Sequence, residues 1–349
     1  MSPDVVVAGA GPAGSVTAGL LARSGVEVWL CDAEFDASRA RPRIGESLPP
    51  AARPLLASLG LEQIVGGVAL PGNGTLSAWG SDSLAVTDSL FQPHGAGWTL
   101  DRDAFDACLR EWASACGARF VAGRAKAREI SLRDGSTVQA RVTVDATGRA
   151  ASVGARRSRR IYHDALTAFH ARFHATRNGD ADSRVLVESV IDGWWYTVRV
   201  PSGERVVAFL TDSDLPSRAG GRALASLAET RFVREALAAF DYRPIHCVRG
   251  ADARTSRLEI VAGSEWVAVG DAAFSVDPLS SQGIVDALLT AKLAAPIVTR
   301  LLAGDCSAAA EYCRQIDALY ERYLVLQRDA YSRERRWFAE PFWARRIGK

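Results

Sequence analysis

The glycine-rich turn at residues 9–14 constrains the fold of this chain more than any other feature. The turn reads Gly-Ala-Gly-Pro-Ala-Gly and matches the pattern Gly-x-Gly-x-x-Gly. A short apolar run at residues 5–8 precedes it, a helical pattern at 15–24 follows, and a second apolar run at 26–31 leads to Asp32. The order of these patterns is strand, glycine turn, helix, strand and acid. It predicts a βαβ unit within a parallel sheet.

The chemistry of this turn indicates a dinucleotide site. Gly9 permits the tight turn, Gly11 lets the backbone approach a pyrophosphate, and Gly14 lets the helix pack closely on the strand. Free N–H groups and the helix dipole favour the negative pyrophosphate at the start of the helix. Asp32 would accept hydrogen bonds from the hydroxyl groups of the adenosine ribose. The turn alone fits NAD and FAD equally well.

The composition argues against several other classes of protein. The 349 residues carry 42 basic and 40 acidic side chains, and a net charge of only +2 argues against nucleic acid as the partner. No Cys/His group has the spacing of a zinc site, so no metal is expected. No signal peptide and no transmembrane segment is recognisable, so we expect a cytoplasmic protein with reduced cysteines.

The order of apolar patterns predicts an α/β fold in three parts: a Rossmann-type nucleotide-binding domain, a second, mainly antiparallel-sheet substrate domain, and a C-terminal helical tail. The nucleotide-binding domain is expected to be discontinuous, because the strand patterns that suit a parallel sheet return twice after excursions. The expected boundaries are 1–70, 98–155 and 255–305 for the first domain, 71–97 and 156–254 for the second, and 306–349 for the tail. A helix is also predicted over 221–240.

Three further motifs, in chain order, resemble those of class A (p-hydroxybenzoate-hydroxylase-like) FAD monooxygenases. Arg102 begins a helix where that family has an arginine beside the cofactor. Residues 145–148, Asp-Ala-Thr-Gly, match its strand-end motif. Gly-Asp at 270–271, followed by Asp-Pro-Leu-Ser-Ser-Gln-Gly-Ile at 277–284, is similar to its second FAD fingerprint. The resemblance implies non-covalently bound FAD rather than NAD.

The resemblance also assigns roles at the cofactor. Asp271 would hydrogen-bond the ribityl chain, and the helix that begins at Gly283 would direct its positive end at the N1–C2=O edge of the flavin. The implied cofactor-binding residues are Gly9, Gly11, Ala13, Gly14, Asp32, Arg102, Ala125, Asp271, Pro278, Ser281, Gln282, Gly283 and Ile284.

Within that superfamily, residues 45–50 (Gly-Glu-Ser-Leu-Pro-Pro) and 270–284 are most similar to one branch. It holds the tryptophan halogenases and the LodB/GoxB-like flavoproteins, which modify tryptophan in a partner amine oxidase. Halogenases use a lysine shortly after the segment that matches 45–47, and here no lysine precedes Lys126. Their Trp-x-Trp-x-Ile-Pro signature is replaced by Trp-Trp-Tyr-Thr-Val-Arg at 194–199. Halogenation is therefore disfavoured.

The resemblance then implies a FAD-dependent monooxygenase with O₂ as co-substrate. Its expected substrate is an aromatic side chain, tryptophan in the first place, on a partner protein or peptide. Reduced flavin and O₂ give an electrophile that an indole or phenol attacks with little further activation. Glu46 and Ser47 are the candidate catalytic residues, because an acid close to a flavin can exchange protons with the substrate. The alternative is that they only shape their loop.

Other readings of the same residues stay open. The chain could hydroxylate a small aromatic metabolite, act as a reductase like the geranylgeranyl reductases, or serve as a flavoprotein partner without turnover. Thr-Gly at 147–148 replaces the Asp-Gly through which many relatives interact with NAD(P)H. We therefore expect slow direct reduction by NAD(P)H and dependence on a separate flavin reductase or on free reduced flavin.

Three groups of side chains are ambiguous. His170 and His174 share one face of a predicted strand. They are either ordinary sheet positions or part of the lining of a substrate pocket. The aromatic residues at 194–196 alternate between a core face and a face that could meet substrate. The tail at 333–349 interleaves aromatic residues with arginines. It is expected to be a helix packed on the sheet domain with a solvated basic face, or else a docking element for a partner.

Overall fold

The computed structural model describes residues 2–32, 44–126, 129–132, 135–216 and 225–347. Within these residues the chain forms two large and two small sheets and eight α-helices. The helices are α1 (Pro12–Arg23), α2 (Arg53–Leu59), α3 (Glu62–Val68), α4 (Arg102–Ala115), α5 (Phe232–Ala239), α6 (Gly283–Leu302), α7 (Ser307–Ser332) and α8 (Pro341–Ile347). The first strands are β1 (Val5–Ala8), β2 (Val28–Asp32), β3 (Ser47–Leu48), β4 (Ala69–Gly72), β5 (Gly74–Ala78), β6 (Ala85–Asp88), β7 (Gly97–Leu100), β8 (Arg119–Lys126), β9 (Glu129–Leu132), β10 (Thr137–Gln139) and β11 (Val142–Asp145). The others are β12 (Arg160–Tyr162), β13 (Leu166–Ala175), β14 (Val185–Val190), β15 (Gly193–Arg199), β16 (Arg205–Asp212), β17 (Tyr242–Pro244), β18 (Arg249–Asp252), β19 (Ser256–Leu258), β20 (Ala262–Gly263), β21 (Trp266–Ala268) and β22 (Phe274–Ser275).

The first large sheet carries the glycine turn. Its strand order is β10-β9-β8-β2-β1-β11-β21-β20. The strands from β8 to β21 run parallel, and β9, β10 and β20 extend the sheet in antiparallel pairs. All four residues of β1 and of β11 are buried, as expected for central strands covered on both faces. Helix α1 packs against α4 and α6 beside the carboxyl end of β1, where parallel sheets bind their ligands.

The second large sheet has the order β17-β13-β16-β15-β14-β5-β6, with β18 also paired to β13. Its pairs are antiparallel except for the parallel pair of β5 and β14. One face packs against α5 around Trp195 and Phe209. The other face presents Trp194 and Tyr196 to a second apolar cluster. The predicted α/β fold with an antiparallel second sheet is confirmed, whereas the exact domain boundaries stay a prediction.

The C-terminal helices contact both large sheets. Tyr312 and Tyr320 of α7 belong to the core of the first sheet, and Phe342 and Trp343 of α8 pack on the second. The prediction that the tail packs on the sheet domain is confirmed. Its arginines are not simply solvated, because the side chain of Arg346 is only 7% exposed and bonds the carboxylate of Asp212 in the second sheet.

The prediction of one continuous helix over 221–240 is wrong for the residues that the structure describes. Residues 225–229 form a 3₁₀ helix, and α5 begins only at Phe232. The buried Glu188 carboxylate of β14 accepts the backbone N–H groups of Arg231, Phe232 and Val233. A carboxylate that distant in sequence caps the helix and fixes where it starts.

Candidate functional site

A cavity of about 850 Å³ lies between the two large sheets. One end is lined by the glycine turn, the loop after β11 and the start of α6. The other end is lined by β14 and β15 of the second sheet and by residues 44–47. We call these the cofactor end and the substrate end.

Backbone forms most of the glycine turn at the cofactor end. Gly9 has φ +102°, and a Cβ there would lie 2.3 Å from the carbonyl oxygen of Ala146. A Cβ on Gly14 would lie 1.9 Å from the carbonyl oxygen of Gly9. Glycine is favoured at both positions, because a Cβ would meet backbone atoms and the backbone would have to shift to make room for it. The turn therefore holds β1, α1 and the loop after β11 in contact.

The N-terminus of α1 is suited to an anion. Its cap is Gly11, no described side chain bonds the free N–H groups, and Pro12 occupies the first turn. Asp32 ends the adjacent strand, and its Oδ2 accepts the N–H of Ala10 at 2.8 Å. The N-terminus of α1 suits the pyrophosphate of FAD, and the carboxylate of Asp32 suits its ribose. This end of the cavity therefore fits FAD.

The Asp-Ala-Thr-Gly segment has a structural basis in the buried Asp145. Its Oδ1 accepts the N–H of Thr147 at 3.0 Å and the Thr147 hydroxyl at 2.7 Å. Its Oδ2 accepts the N–H groups of Val153 at 2.9 Å and Gly154 at 2.6 Å. This single carboxylate folds the loop that lines the cavity, so it organises the site without entering it.

The second FAD fingerprint forms the wall between Asp271 and α6. Asp271 lines the cavity, and its carboxylate lies 3.6 Å from Nε of Arg149. Asp277 is buried, and its Oδ1 accepts the N–H of Leu279 at 2.8 Å. Burial raises the pKa of the Asp277 carboxyl. Ser281 has φ +51° and ends the short helix before α6 begins, so its backbone is held in an unfavourable region beside the cavity.

Glu46 is the buried acid at the substrate end. Its side chain is 1% exposed, its Oε2 accepts the N–H of Gly45 at 2.9 Å, and its Oε1 has no hydrogen-bond partner among the described residues. Burial raises the pKa of this carboxyl, and the guanidinium of Arg102 opposes the shift. Arg102 also holds the loop, because it donates to the carbonyl oxygens of Gly45 at 3.0 Å and Ile44 at 3.3 Å.

The remaining wall of the substrate end is apolar and aromatic. Val185 and Val187 of β14 and Trp194 and Tyr196 of β15 line the cavity. Trp195 points to the opposite face and stacks on Phe209, with ring centroids 4.9 Å apart. The predicted alternation of residues 194–196 is thus confirmed. His170 and His174 are not among the residues that line the cavity.

Most of the predicted site residues meet at this cavity. Those that line it are Gly9, Gly11, Ala13, Asp32, Glu46, Ser47, Arg102, Asp271, Pro278, Ser281, Gly283 and Ile284. Gly14 and Gln282 do not line it, although each adjoins a residue that does. Ala125 lies on β8, and its side chain is outside the described part of the chain. The functional roles of these residues stay predictions.

Sequence reasoning missed the connection that fixes Trp194. Its Nε1–H donates to the Tyr331 hydroxyl at 3.0 Å, and that hydroxyl donates to Oδ2 of Asp277 at 2.6 Å. Tyr331 belongs to α7 and carries no motif, so no sequence signal could have joined it to the cavity. Arg149, which follows the Asp-Ala-Thr-Gly segment directly, also lines the cavity and could have been proposed from its position.

The described part of the chain places neither a lysine nor a group of metal ligands at the site. None of the described residues that line the cavity is a lysine. The described residues contain no group of three or more His, Cys, Asp or Glu side chains arranged for a metal ion. Among the helices described, none has the length and apolar character needed to cross a membrane.

The parallel sheet with its glycine turn, the second fingerprint and the cavity define a FAD-dependent oxidoreductase. The family of FAD binding domains matches residues 2–156, and the tryptophan halogenase family matches residues 81–347. The chain therefore belongs to the tryptophan halogenase family, and the branch expected from the motifs is confirmed.

The proteins to which this chain is similar differ in their catalytic activities. The FAD-dependent oxidoreductase LodB of Marinomonas mediterranea is 30% identical over 99% of this chain and 97% of its own length. The structure of QhpG, a peptidyl tryptophan dihydroxylase essential for tryptophylquinone cofactor biogenesis, is 29% identical, covers 99% of this chain and 79% of that one, and has a TM-score of 0.82. The myxobacterial chondrochloren halogenase CndH is 23% identical, covers 99% and 85%, and shares the fold with a TM-score of 0.86.

Proposed function

We propose that this protein is a FAD-dependent monooxygenase that hydroxylates a tryptophan side chain of a partner protein or peptide. The observation that carries the proposal is the substrate end of the cavity. It combines an apolar and aromatic wall with one buried carboxyl, and no lysine is among its described lining residues. The similarity to LodB and to a peptidyl tryptophan dihydroxylase over nearly the whole chain supports a peptidyl tryptophan substrate.

The chain's residues would hold FAD by the backbone of the glycine turn, by Asp32 and Asp271, and by the start of α6. When bound and reduced, FAD supplies the activation of O₂. The side chains of Val187, Trp194 and Tyr196 would bind an indole between flat and apolar surfaces and keep water away from it. Exclusion of water matters, because it leaves the aromatic ring as the nearest nucleophile.

Glu46 would move the proton that hydroxylation releases. Loss of a ring proton from the attacked indole requires an acceptor at the substrate. Glu46 lines the cavity, and its Oε1 has no hydrogen-bond partner among the described residues. Burial raises the pKa of this carboxyl, which favours a group that accepts a proton from the substrate and later returns it. Ser47, next along the same wall, is proposed to orient the substrate through its hydroxyl.

Halogenation is the second candidate, because the family includes halogenases and CndH shares the fold. We disfavour it for the residues at hand. The chain has only Lys126, Lys292 and Lys349, and Lys292 bonds the Ser58 hydroxyl on an exposed surface. A lysine that carries activated halogen would have to lie at the substrate end.

Product analysis tests the proposal. FAD-loaded protein is supplied with a separate flavin reductase, NADH and ¹⁸O₂, and is offered free tryptophan, N-acetyl-tryptophanamide and a set of tryptophan-containing peptides, with matched peptides in which phenylalanine replaces tryptophan. We expect mass spectrometry to find labelled oxygen on tryptophan in peptides and none on the phenylalanine controls. Chlorine or bromine on the product when halide is added would overturn the proposal. Oxygen on the free amino acid alone would favour a small-metabolite hydroxylase. In a parallel incubation with an isoprenoid, loss of a double bond would favour a reductase.

The source of electrons is tested separately. We propose that a flavin reductase or free reduced flavin, rather than NAD(P)H itself, reduces the enzyme. In anaerobic stopped-flow mixing with NADPH, the flavin should bleach far more slowly than the enzyme turns over. Bleaching at the rate of turnover would show that the chain needs no separate reductase.

A further inference from the structure

A row of five aromatic side chains runs from the cavity through the C-terminal helices. Tyr196 and Trp194 line the cavity, and Trp79, Trp343 and Trp337 continue the row. Successive ring centroids are 6.2 Å apart from Tyr196 to Trp194, 6.2 Å from Trp194 to Trp79, 5.2 Å from Trp79 to Trp343, and 6.1 Å from Trp343 to Trp337. Rings at these separations are in direct contact. The five residues form what we call the aromatic row.

The two ends of the aromatic row lie in different surroundings. Trp194 is only 1% exposed to solvent and faces the cavity. Trp337 is half-buried at the protein surface, and the guanidinium of Arg336 lies 4.2 Å above its ring. The charge of Arg336 is balanced by ion pairs to Glu334 and Asp82, so little net positive charge opposes oxidation of Trp337.

Hydrogen bonds at the inner end of the row favour the first electron transfer, in which Trp194 loses an electron to an oxidant in the cavity. Trp194 donates its Nε1–H to the Tyr331 hydroxyl, which in turn donates to the Asp277 carboxyl. A donated N–H bond stabilises the positive charge that an indole acquires when it loses an electron, and the following bond to a carboxyl strengthens it. Packing alone does not require this arrangement, since aliphatic side chains would fill the same space without redox chemistry.

We propose that the aromatic row is a hole-transfer path, which carries an oxidising equivalent from the cavity to the protein surface. A one-electron oxidant formed from O₂ in the cavity, a hydroperoxyl radical, takes one electron from Trp194 and one proton from solvent and becomes hydrogen peroxide, which leaves Trp194 as an indole radical cation. Electrons then move one residue at a time along the row towards the cavity, until the positive hole lies on Trp337. There a small-molecule thiol supplies an electron and releases a proton, and two oxidised thiols combine to a disulfide. The path protects the cavity wall when no substrate consumes the oxidant.

This inference goes beyond the proposed function, because it requires bound FAD but not any particular substrate. In the experiment that tests it, light rather than enzyme turnover generates the oxidant. Blue light converts oxidised FAD into a one-electron oxidant, and the net reaction with a thiol is FAD plus two thiols giving reduced FAD and one disulfide. FAD-loaded protein is illuminated without oxygen in the presence of dithiothreitol. We expect the flavin absorbance to bleach and transient absorption to detect a tryptophan radical.

Substitutions within the row should interrupt the path. Trp343→Phe and Trp337→Phe keep an aromatic ring that is much harder to oxidise, so we expect bleaching several-fold slower than in the wild type and loss of the long-lived radical. Trp195→Phe is the matched control, because Trp195 follows Trp194 on the same strand and is fully buried on the opposite face. The control should behave like the wild type.

The proposal is overturned if both row variants bleach as fast as the control, or if the wild type forms no tryptophan radical. Trp343 donates its Nε1–H to the carbonyl oxygens of Val190 and Ile191, so its replacement could impair folding. Trp337→Phe lies at the half-buried end and keeps the test decisive in that case. Failure of tryptophan hydroxylation in the peptide assay leaves the outcome of this experiment unchanged, so the two proposals fail separately.

Discussion

At the cofactor end of the cavity, backbone contacts determine the shape of the glycine turn. Gly9 and Gly14 lie so close to neighbouring carbonyl oxygens that a Cβ has no room. At the substrate end the surface consists of side chains, from Val187 and Trp194 on the second sheet and from Glu46 on its loop. The glycines of the cofactor end have a fixed local spacing within one βαβ unit, although the carbonyl oxygen that Gly9 approaches belongs to Ala146 in the loop after β11. The substrate end depends on contacts between segments more than a hundred residues apart, such as the bond from Trp194 to Tyr331.

The difference explains how one family can hold different chemistries. Replacing a side chain at the substrate end changes what is bound and protonated, while the backbone that holds the cofactor stays in place. Replacing a glycine at the cofactor end moves the backbone itself. Substitutions at the two ends should therefore separate cleanly into effects on rate and effects on FAD affinity.

The largest effect is expected from Glu46→Gln. The variant keeps the shape of the side chain and loses its proton exchange, and general acid–base groups contribute roughly 10²- to 10⁴-fold to rates. We expect the rate of product formation to fall within that range while FAD absorbance and affinity stay unchanged. Glu46→Asp retains an acid and should recover part of the rate. A rate within a few-fold of wild type in Glu46→Gln would contradict a role in proton transfer and favour a purely structural one.

Gly14→Ala should act at the other end. The added Cβ would meet the carbonyl oxygen of Gly9 at 1.9 Å, and relief of such overpacking costs about 2 kcal/mol. If that cost falls on the bound form, FAD affinity drops by about 30-fold. Fluorescence titration of the apoprotein with FAD measures the change. Gly66→Ala is the control, because a Cβ at this position of α3 meets nothing within 4 Å. Equal FAD affinity in Gly14→Ala and wild type would mean that the turn is more adaptable than its contacts indicate.

The sequence predicted the glycine turn for a physical reason. A Cβ on Gly9 or Gly14 would meet backbone atoms, so both positions must be glycine, and their fixed spacing along the chain indicates the turn. The helix cap at Asp101 was equally predictable, because its Oδ1 accepts the N–H groups two and three residues later. Such features involve residues that are close along the chain.

The features that the sequence did not reveal join distant segments. Glu188 caps a helix that begins more than forty residues later, which is why the helix predicted over 221–240 is interrupted. Tyr331 connects Trp194 to Asp277 through a hydroxyl that resembles any other tyrosine in a helix. Neither contact leaves a pattern in the local sequence, because only the packing of the sheets brings the partners together.

Tyr331→Phe tests whether the substrate end depends on that distant contact. Removing the hydroxyl leaves the Trp194 N–H and a buried Asp277 oxygen without their partner, which should cost about 1.5 kcal/mol of unfolding free energy. Tyr320→Phe on the same helix is the matched control, because the Tyr320 hydroxyl is buried without a hydrogen-bond partner among the described residues. Urea unfolding of both variants measures the difference. Equal stability of the two variants would show that the connection contributes nothing to holding the tail on the sheet.

A pH-dependent effect is expected from Asp286 in the first turn of α6, close to the cofactor end. Burial, and to a lesser degree the charge of Asp271, raises the pKa of this carboxyl to about 7. In the unfolded chain an aspartate titrates near pH 3.9, as a rough reference value. The folded state therefore binds the proton more tightly, and its stabilising contribution is complete below about pH 3.9 and lost as the pH rises towards 7.

Asp286→Asn removes this titration. We expect the variant and the wild type to have similar unfolding free energies near pH 4. The variant should then become the more stable protein as the pH rises, by up to about 4 kcal/mol for a carboxyl whose pKa lies at about 7 instead of near 3.9, with no further change above about pH 7. Asp103→Asn, an exposed aspartate in the first turn of α4, controls for the loss of a negative charge at a helix start. A difference that stays constant from pH 4 to 8 would mean that Asp286 is ionised throughout, and that the start of α6 presents a fixed negative charge to the cofactor.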